Sequence, residues 1–152
     1  MNMNNSKLNI GVLGCADIAK RYVFNSIKES KHFNLYAIAI LNSKKHETYL
    51  NKNKIKFINN YLRLIEDVNV DIIYIPLPNN LHYQWAKKAL LRNKHVIVEK
   101  PMTTSLSDNI DLNKIAKDRN LALFENFQFR FHSQLYFIKD LLDKDIIGDL
   151  KF

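Results

Sequence analysis

Cysteine is all but missing from this chain: Cys15 stands alone, so no internal disulfide can staple the fold. Glycine and proline are scarce too, at three of each. That scarcity excludes collagen-like and low-complexity chains and leaves no Pro/Gly/Ser linker to divide two full domains. No internal repeat is visible, which removes solenoids and propellers. No run approaches the roughly 18 apolar residues that a membrane span requires. The opening MNMNNSKLNI lacks a basic stretch leading into an apolar one, so no secretory signal is expected. Together these absences point to a cytoplasmic protein with no membrane partner, and no metal-ligand cluster is expected either.

What is present belongs to an ordinary globular domain: 152 residues, 47% hydrophobic and 25% charged, enough to bury a sizeable core. The net charge of +8, from 23 Lys+Arg against 15 Asp+Glu, raises the question of nucleic acid. The lysines are scattered in ones and twos, as at Lys44-Lys45, Lys87-Lys88 and Lys114/Lys117, and no binding motif accompanies them. No nucleic-acid partner is therefore expected.

Apolar runs alternate with helical stretches along the whole chain, the pattern of βα units around a parallel sheet. Strands are expected at Leu8-Leu13, Leu35-Leu41, Lys56-Ile58, Asp71-Ile75, His95-Val98 and Leu121-Phe124. A helix from about Asp17 to Lys28 would turn Ile18, Tyr22, Val23 and Ile27 inward, and one from Leu81 to Arg92 would do the same with Leu81, Trp85, Ala89 and Leu90. Ser105 to Asp108 has the spacing of a capping box opening a helix with Leu106, Ile110 and Ile115, which Asn120 would end. A further amphipathic helix, Ser133 to Asp143, precedes a turn at Gly148 that leads into the start of another strand. The expected fold is α/β, a doubly wound parallel sheet of Rossmann type followed by a short C-terminal helix.

Three places could carry chemistry. The first strand runs into GVLGCADIA, where Gly14-x-Ala16-x-x-Ala19 is a G-x-G-x-x-G/A fingerprint with its middle glycine replaced by alanine. Gly11, Gly14, Cys15, Ala16, Asp17 and Ile18 are the candidate cofactor contacts here, with the helix N-terminus offered to a pyrophosphate; the alternative is a tight βα turn without a ligand. After the second strand no Asp or Glu is available for the ribose hydroxyls of NAD. Asn42 and Ser43 could hydrogen-bond there, and Lys44 or Lys45 could meet a 2′-phosphate, which favours NADP slightly over NAD; the same lysines could instead open a solvated helix. The fourth strand ends in YIPLPNNLHYQWA, where Pro76 and Pro78 stop the strand, Asn79 or Asn80 can cap a helix, and His82 lies in its first turn. The fifth strand ends in Glu99-Lys100-Pro101, a charged pair where a plain turn would carry Gly, Asn or Ser. Ligands of open α/β sheets collect at such strand ends, although an ordinary ion pair would give the same letters.

At these residues the chain resembles the Gfo/Idh/MocA family, named for glucose-fructose oxidoreductase, inositol dehydrogenase and rhizopine catabolism. The resemblance rests on GVLGCADIA, VDIIYIPLPNNLHYQWAKKAL, KHVIVEKPM and FRFHSQ, in the family's order and spacing. It implies NAD(P) as cofactor and a secondary alcohol or ketone of a sugar, nucleotide-sugar or cyclitol as substrate. It implies Lys100 and His82 as catalytic groups, Lys100 where nicotinamide meets substrate, and Glu99, Pro101, Asn79 and His82 along the cofactor. Arg130 and His132 would lie near a hinge. Members of the family continue into a second α/β domain, so the resemblance implies residues 1–124 as the dinucleotide-binding domain and 125–152 as the connector helix and the start of a truncated second domain, with that domain itself absent. A homo-oligomer, or a chain supplying the missing domain, is then an expected partner, and the chain by itself is expected to bind cofactor weakly with little or no turnover. The alternative is an inactive remnant or a nucleotide-sensing or interaction module.

Overall fold

A computed structural model describes residues 7–42 and 44–151. Six apolar runs form strands: β1 (Leu8–Leu13), β2 (Phe33–Ala39), β3 (Phe57–Ile58), β4 (Ile72–Ile75), β5 (His95–Val98) and β6 (Leu123–Glu125). They pair in the order β3-β2-β1-β4-β5-β6, every neighbour parallel. A parallel sheet is covered on both faces, which is why β4, Ile72-Ile73-Tyr74-Ile75, is buried at every position. The direction of winding reverses between β1 and β4, so the crevice of this sheet opens at their carboxyl ends.

The helices are α1 (Phe24–Glu29), continuing a π-helical turn at Ala19–Val23, then α2 (Glu47–Lys52), α3 (Tyr61–Ile65), α4 (Asn79–Leu91), α5 (Leu106–Asp118) and α6 (Ser133–Asp143). On one face α3, α4 and α5 bring Leu64, Ala86, Leu90 and Leu112 against Leu13, Ile73, Ile75 and Val98. On the other, α1 and α2 bring Phe24, Ile27 and Leu50 against Val12, Ile38, Ile72 and Tyr74. This second face is bare toward β6, where Tyr74, Ile97 and Phe124 line an open apolar trough of about 500 Å³.

Strand positions follow the apolar runs within two residues, but three helix faces differ from the periodicity reading. In the first helix Ala19 and Phe24 are buried while Tyr22 is 62% exposed. The π turn is the reason: the Phe24 N–H bonds back to Ala19 O, five residues away, which moves the inward positions off the 3.6-residue period. In α4 the buried face is His82, Ala86, Ala89 and Leu90, one position on from Leu81 and Trp85; Trp85 instead stands edge-on to Tyr61 at 5.0 Å. In α5 Leu112 and Ala116 are buried, whereas Leu106 and Ile110 are exposed.

The caps are mixed. Ser105 accepts from the Asp108 N–H as expected, and Asn120 takes a left-handed φ of 53° just after α5. Neither Asn79 nor Asn80 caps α4: Pro78 holds that position, and Asn79 is already helical. Residues 149–151 belong to no strand, so the strand expected after Gly148 is absent among the described residues. No helix among them is long and apolar enough to cross a membrane.

Candidate functional site

β1 delivers the chain to the crevice at Gly14, whose φ of +88° suits glycine alone. A Cβ there would stand 2.9 Å from Leu77 Cδ2, in the loop after β4. The Gly14 N–H donates to Ala39 O at 2.7 Å, tying the turn to the end of β2. Beyond it Cys15, Ala16 and Asp17 lead into the first helix and form one wall of a cavity of about 400 Å³. Its other walls are the segment after β2, with Asn42, Lys45 and His46, the Pro76-Leu77-Pro78 loop, and Tyr61. Burial pushes the Cys15 thiol up, leaving it protonated and unreactive near neutrality. A hydrogen bond from Lys20, 3.1 Å away, holds the Asp17 carboxyl below its usual range. His46 is pushed down, first by burial and then by Lys20 and Lys45.

The loop after β5 is laced to its neighbours by hydrogen bonds. Glu99 is buried, and its Oε1 accepts from Tyr74 Oη at 2.6 Å and from Asn126 Nδ2 at 2.7 Å. The Lys100-Pro101 peptide is cis. The Met102 N–H donates to Glu125 Oε1 at 2.7 Å. His82, 0% exposed, faces Pro101 O through Nδ1 at 2.7 Å and Leu77 O through Nε2 at 2.6 Å. The turns after β1, β4 and β5 are thereby joined in series: Gly14 against Leu77, Leu77 to His82, His82 to Pro101. Lys100 is exposed at this loop, and none of the ion pairs among the described residues involves it.

Several expected site residues line the cradle cavity: Gly14, Cys15, Ala16, Asp17, Asn42, Pro76 and Pro78. Others stand elsewhere. Gly11 is a packing residue, since a Cβ on it would meet Leu64 Cγ at 3.1 Å, so its bareness serves α3 and not the cradle. Ile18, Lys44 and Asn79 are exposed outside the cavity lining, and Ser43 lies outside the described residues. Glu99 turns inward to Tyr74 and Asn126. Arg130 is exposed on the 3₁₀ turn Gln128–Phe131.

His82 departs furthest from its expected part. It is buried, and its two ring nitrogens stand within hydrogen-bond distance of the Pro101 and Leu77 carbonyl oxygens, so its ring spans two loops. The geometry makes it a brace between two loops. Sequence reading did not find Lys20, His46, Leu77, Glu125 or Asn126. Only the last two had a signal, polar side chains directly after an apolar strand.

This geometry has relatives. The model of an oxidoreductase family with an NAD-binding Rossmann fold, GFO_IDH_MocA, matches residues 8–127. A dTDP-3,4-didehydro-2,6-dideoxy-alpha-D-glucose 3-reductase from Streptomyces violaceoruber is 39% identical over 144 residues, covering 95% of this chain and 42% of the relative. A D-xylose 1-dehydrogenase (NADP(+)) from Haloferax volcanii is 33% identical, over 80% of this chain and 38% of its own length. Among solved structures, the 3-ketoreductase KijD10 from Actinomadura kijaniata, in complex with NADP and TDP-benzene, superposes with a TM-score of 0.89 at 35% identity. That match covers 95% of this chain and 44% of the ketoreductase. The chain thus spans less than half the length of these relatives. With fold, cradle and family model in agreement over the same residues, this chain belongs to the GFO_IDH_MocA family of oxidoreductases, as its NAD(P)-binding Rossmann part.

Proposed function

We propose that this chain forms the cofactor-holding half of a reductase that exchanges hydride between NADP(H) and a ketone or secondary alcohol of a sugar, a nucleotide-linked sugar foremost. Residues 1–124 act as the dinucleotide-binding unit and 125–152 as the connector. The observation that carries this reading is the lacing of three strand-end turns around one crevice, with a glycine-only turn at one end and a free lysine at the other. The similarity to 3-reductases of dTDP-linked sugars supports the substrate class.

The residues present fit a dinucleotide. Gly14, Cys15 and Ala16 offer a close-approaching backbone to a pyrophosphate, and Pro76 and Pro78 form a stiff rim beside it. When bound, the nicotinamide supplies or accepts the hydride. Lys100 donates a hydrogen bond to the substrate oxygen and holds the proton that this oxygen gains or loses. Glu99 anchors the strand end through Tyr74 and Asn126, while His82 and Glu125 hold the backbone on either side of Pro101, so that Lys100 is presented from a fixed base.

Calorimetric titration with NADPH tests the reading. Gly14→Val should weaken binding about tenfold or more, because a side chain at positive φ distorts the turn. Lys100→Ala should keep affinity within a few-fold, since it serves the substrate. A folded wild-type chain that binds neither NADPH nor NADH would overturn the proposal.

A further inference from the structure

The cradle cavity holds a second chemistry that the fingerprint turn does not explain. Beyond Asn42, its wall carries Lys45 and His46, and facing them from the first helix is Lys20. Lys20 is held in place: its side chain is only 20% exposed, with Nζ 3.1 Å from Asp17 Oδ1 and 5.5 Å from the centre of the Tyr49 ring. Lys20 and Lys45 both lie close enough to His46 to disfavour its proton. The one carboxylate lining the cavity, Asp17, is itself 78% exposed and already engaged with Lys20. Such a recess is unsuited to ribose hydroxyls, which call for an acceptor, and suited to a second phosphate.

We infer that Lys20, Lys45 and His46 together form the subsite for the 2′-phosphate of NADP(H), with Lys20, from the first helix, as its fixed cation. This rests on the dinucleotide reading above and deepens it, because the discriminating charge comes from the helix after β1 as well as from the segment after β2. Lys44, although next in sequence, does not line the cavity. The groups around His46 are Lys20 and Asp17 on the first helix, Cys15 on the turn, Lys45 on its own segment and Tyr61 across the cavity, while Glu47, next in the chain at the start of α2, is exposed outside the cavity lining. Asp17 is the only carboxylate in the cavity lining. A phosphate arriving there reverses the local field and draws a proton onto His46, so NADPH binding takes up a proton near neutral pH and tightens as pH falls.

The test is calorimetry of the full chain with NADPH and with NADH at pH 6 and 8, each in two buffers of different ionisation enthalpy. Wild type is expected to prefer NADPH and to take up a proton with it. Lys20→Gln should lower the NADPH-to-NADH affinity ratio about tenfold or more, and His46→Gln should abolish the proton uptake. Circular dichroism verifies that each variant is folded, with Lys20→Arg as the charge-preserving partner that retains the ratio. A ratio unmoved by Lys20→Gln, or both affinities falling equally, would overturn this subsite and leave the dinucleotide reading standing. Failure of folded wild type to bind either nucleotide would overturn both.

Discussion

Glu99 keeps a carboxylate out of water by accepting two hydrogen bonds on one oxygen, and Tyr74 supplies the shorter of them. Burial, and then the bond to Glu99, hold the Tyr74 phenol far above the ordinary tyrosine range. The folded chain therefore favours the protonated phenol: its stabilisation is complete below about pH 10, the unfolded value, and is lost as pH rises further. Tyr74→Phe should cost about 1–3 kcal/mol at pH 7 by leaving Glu99 short of a partner. It should also flatten the fall in stability above pH 10, as urea melts across that range would measure. A variant as stable as wild type with the same alkaline slope would refute this account. At this scale, the turn at Gly14 was legible because a glycine directly follows an apolar strand there. His82 was not, since a sequence does not say which carbonyls a ring will meet. Lys20, the cation inferred above for the 2′-phosphate, carried no signal because such a group was sought only after β2.

Among the elements, the first helix is where periodicity misled. A regular helix would bury Tyr22; the π turn places Phe24 in the core instead. Phe24→Ala should therefore cost about 3–5 kcal/mol, as emptied aromatic core positions do. Tyr22→Ala should stay within about 0.5 kcal/mol, as an exposed substitution does. Paired denaturant melts measure both, and equal losses would restore the regular-helix face. The strands were easier to read because β-branched runs in a parallel sheet are buried on both faces, so no choice of face could go wrong. In α4 and α5 the inward face includes small residues, Ala86 and Ala116, which a search for large apolar side chains passes over.

For the whole molecule, the apolar surface is unevenly covered. α6 exposes Leu135, Tyr136, Phe137 and Ile138, and its main neighbour is the 3₁₀ turn before it. With the bare trough over β5 and β6, this leaves two exposed apolar surfaces, and exposed apolar patches favour association. The chain should self-associate with rising concentration in light scattering, and Ile138→Lys with Phe137→Lys should lower its apparent mass. A monodisperse monomer at high concentration would count against this. The fold class was readable from the βα alternation, but the open trough over β5 and β6 was not, because it depends on which elements lie across those strands in space.

The order of the strands also sets the order of assembly during synthesis. β1 emerges first from the ribosome, yet it sits in the middle of the sheet and pairs with both β2 and β4. Its Asn9 N–H is received by Asp71, 62 residues further along. Until β4 has emerged, a nascent chain holds at most a half-sheet whose innermost strand has one edge unpaired. Closing that edge is a long-range step, slow compared with forming any single helix. The growing polypeptide is therefore most open to mispairing while residues between β2 and β4 are being translated.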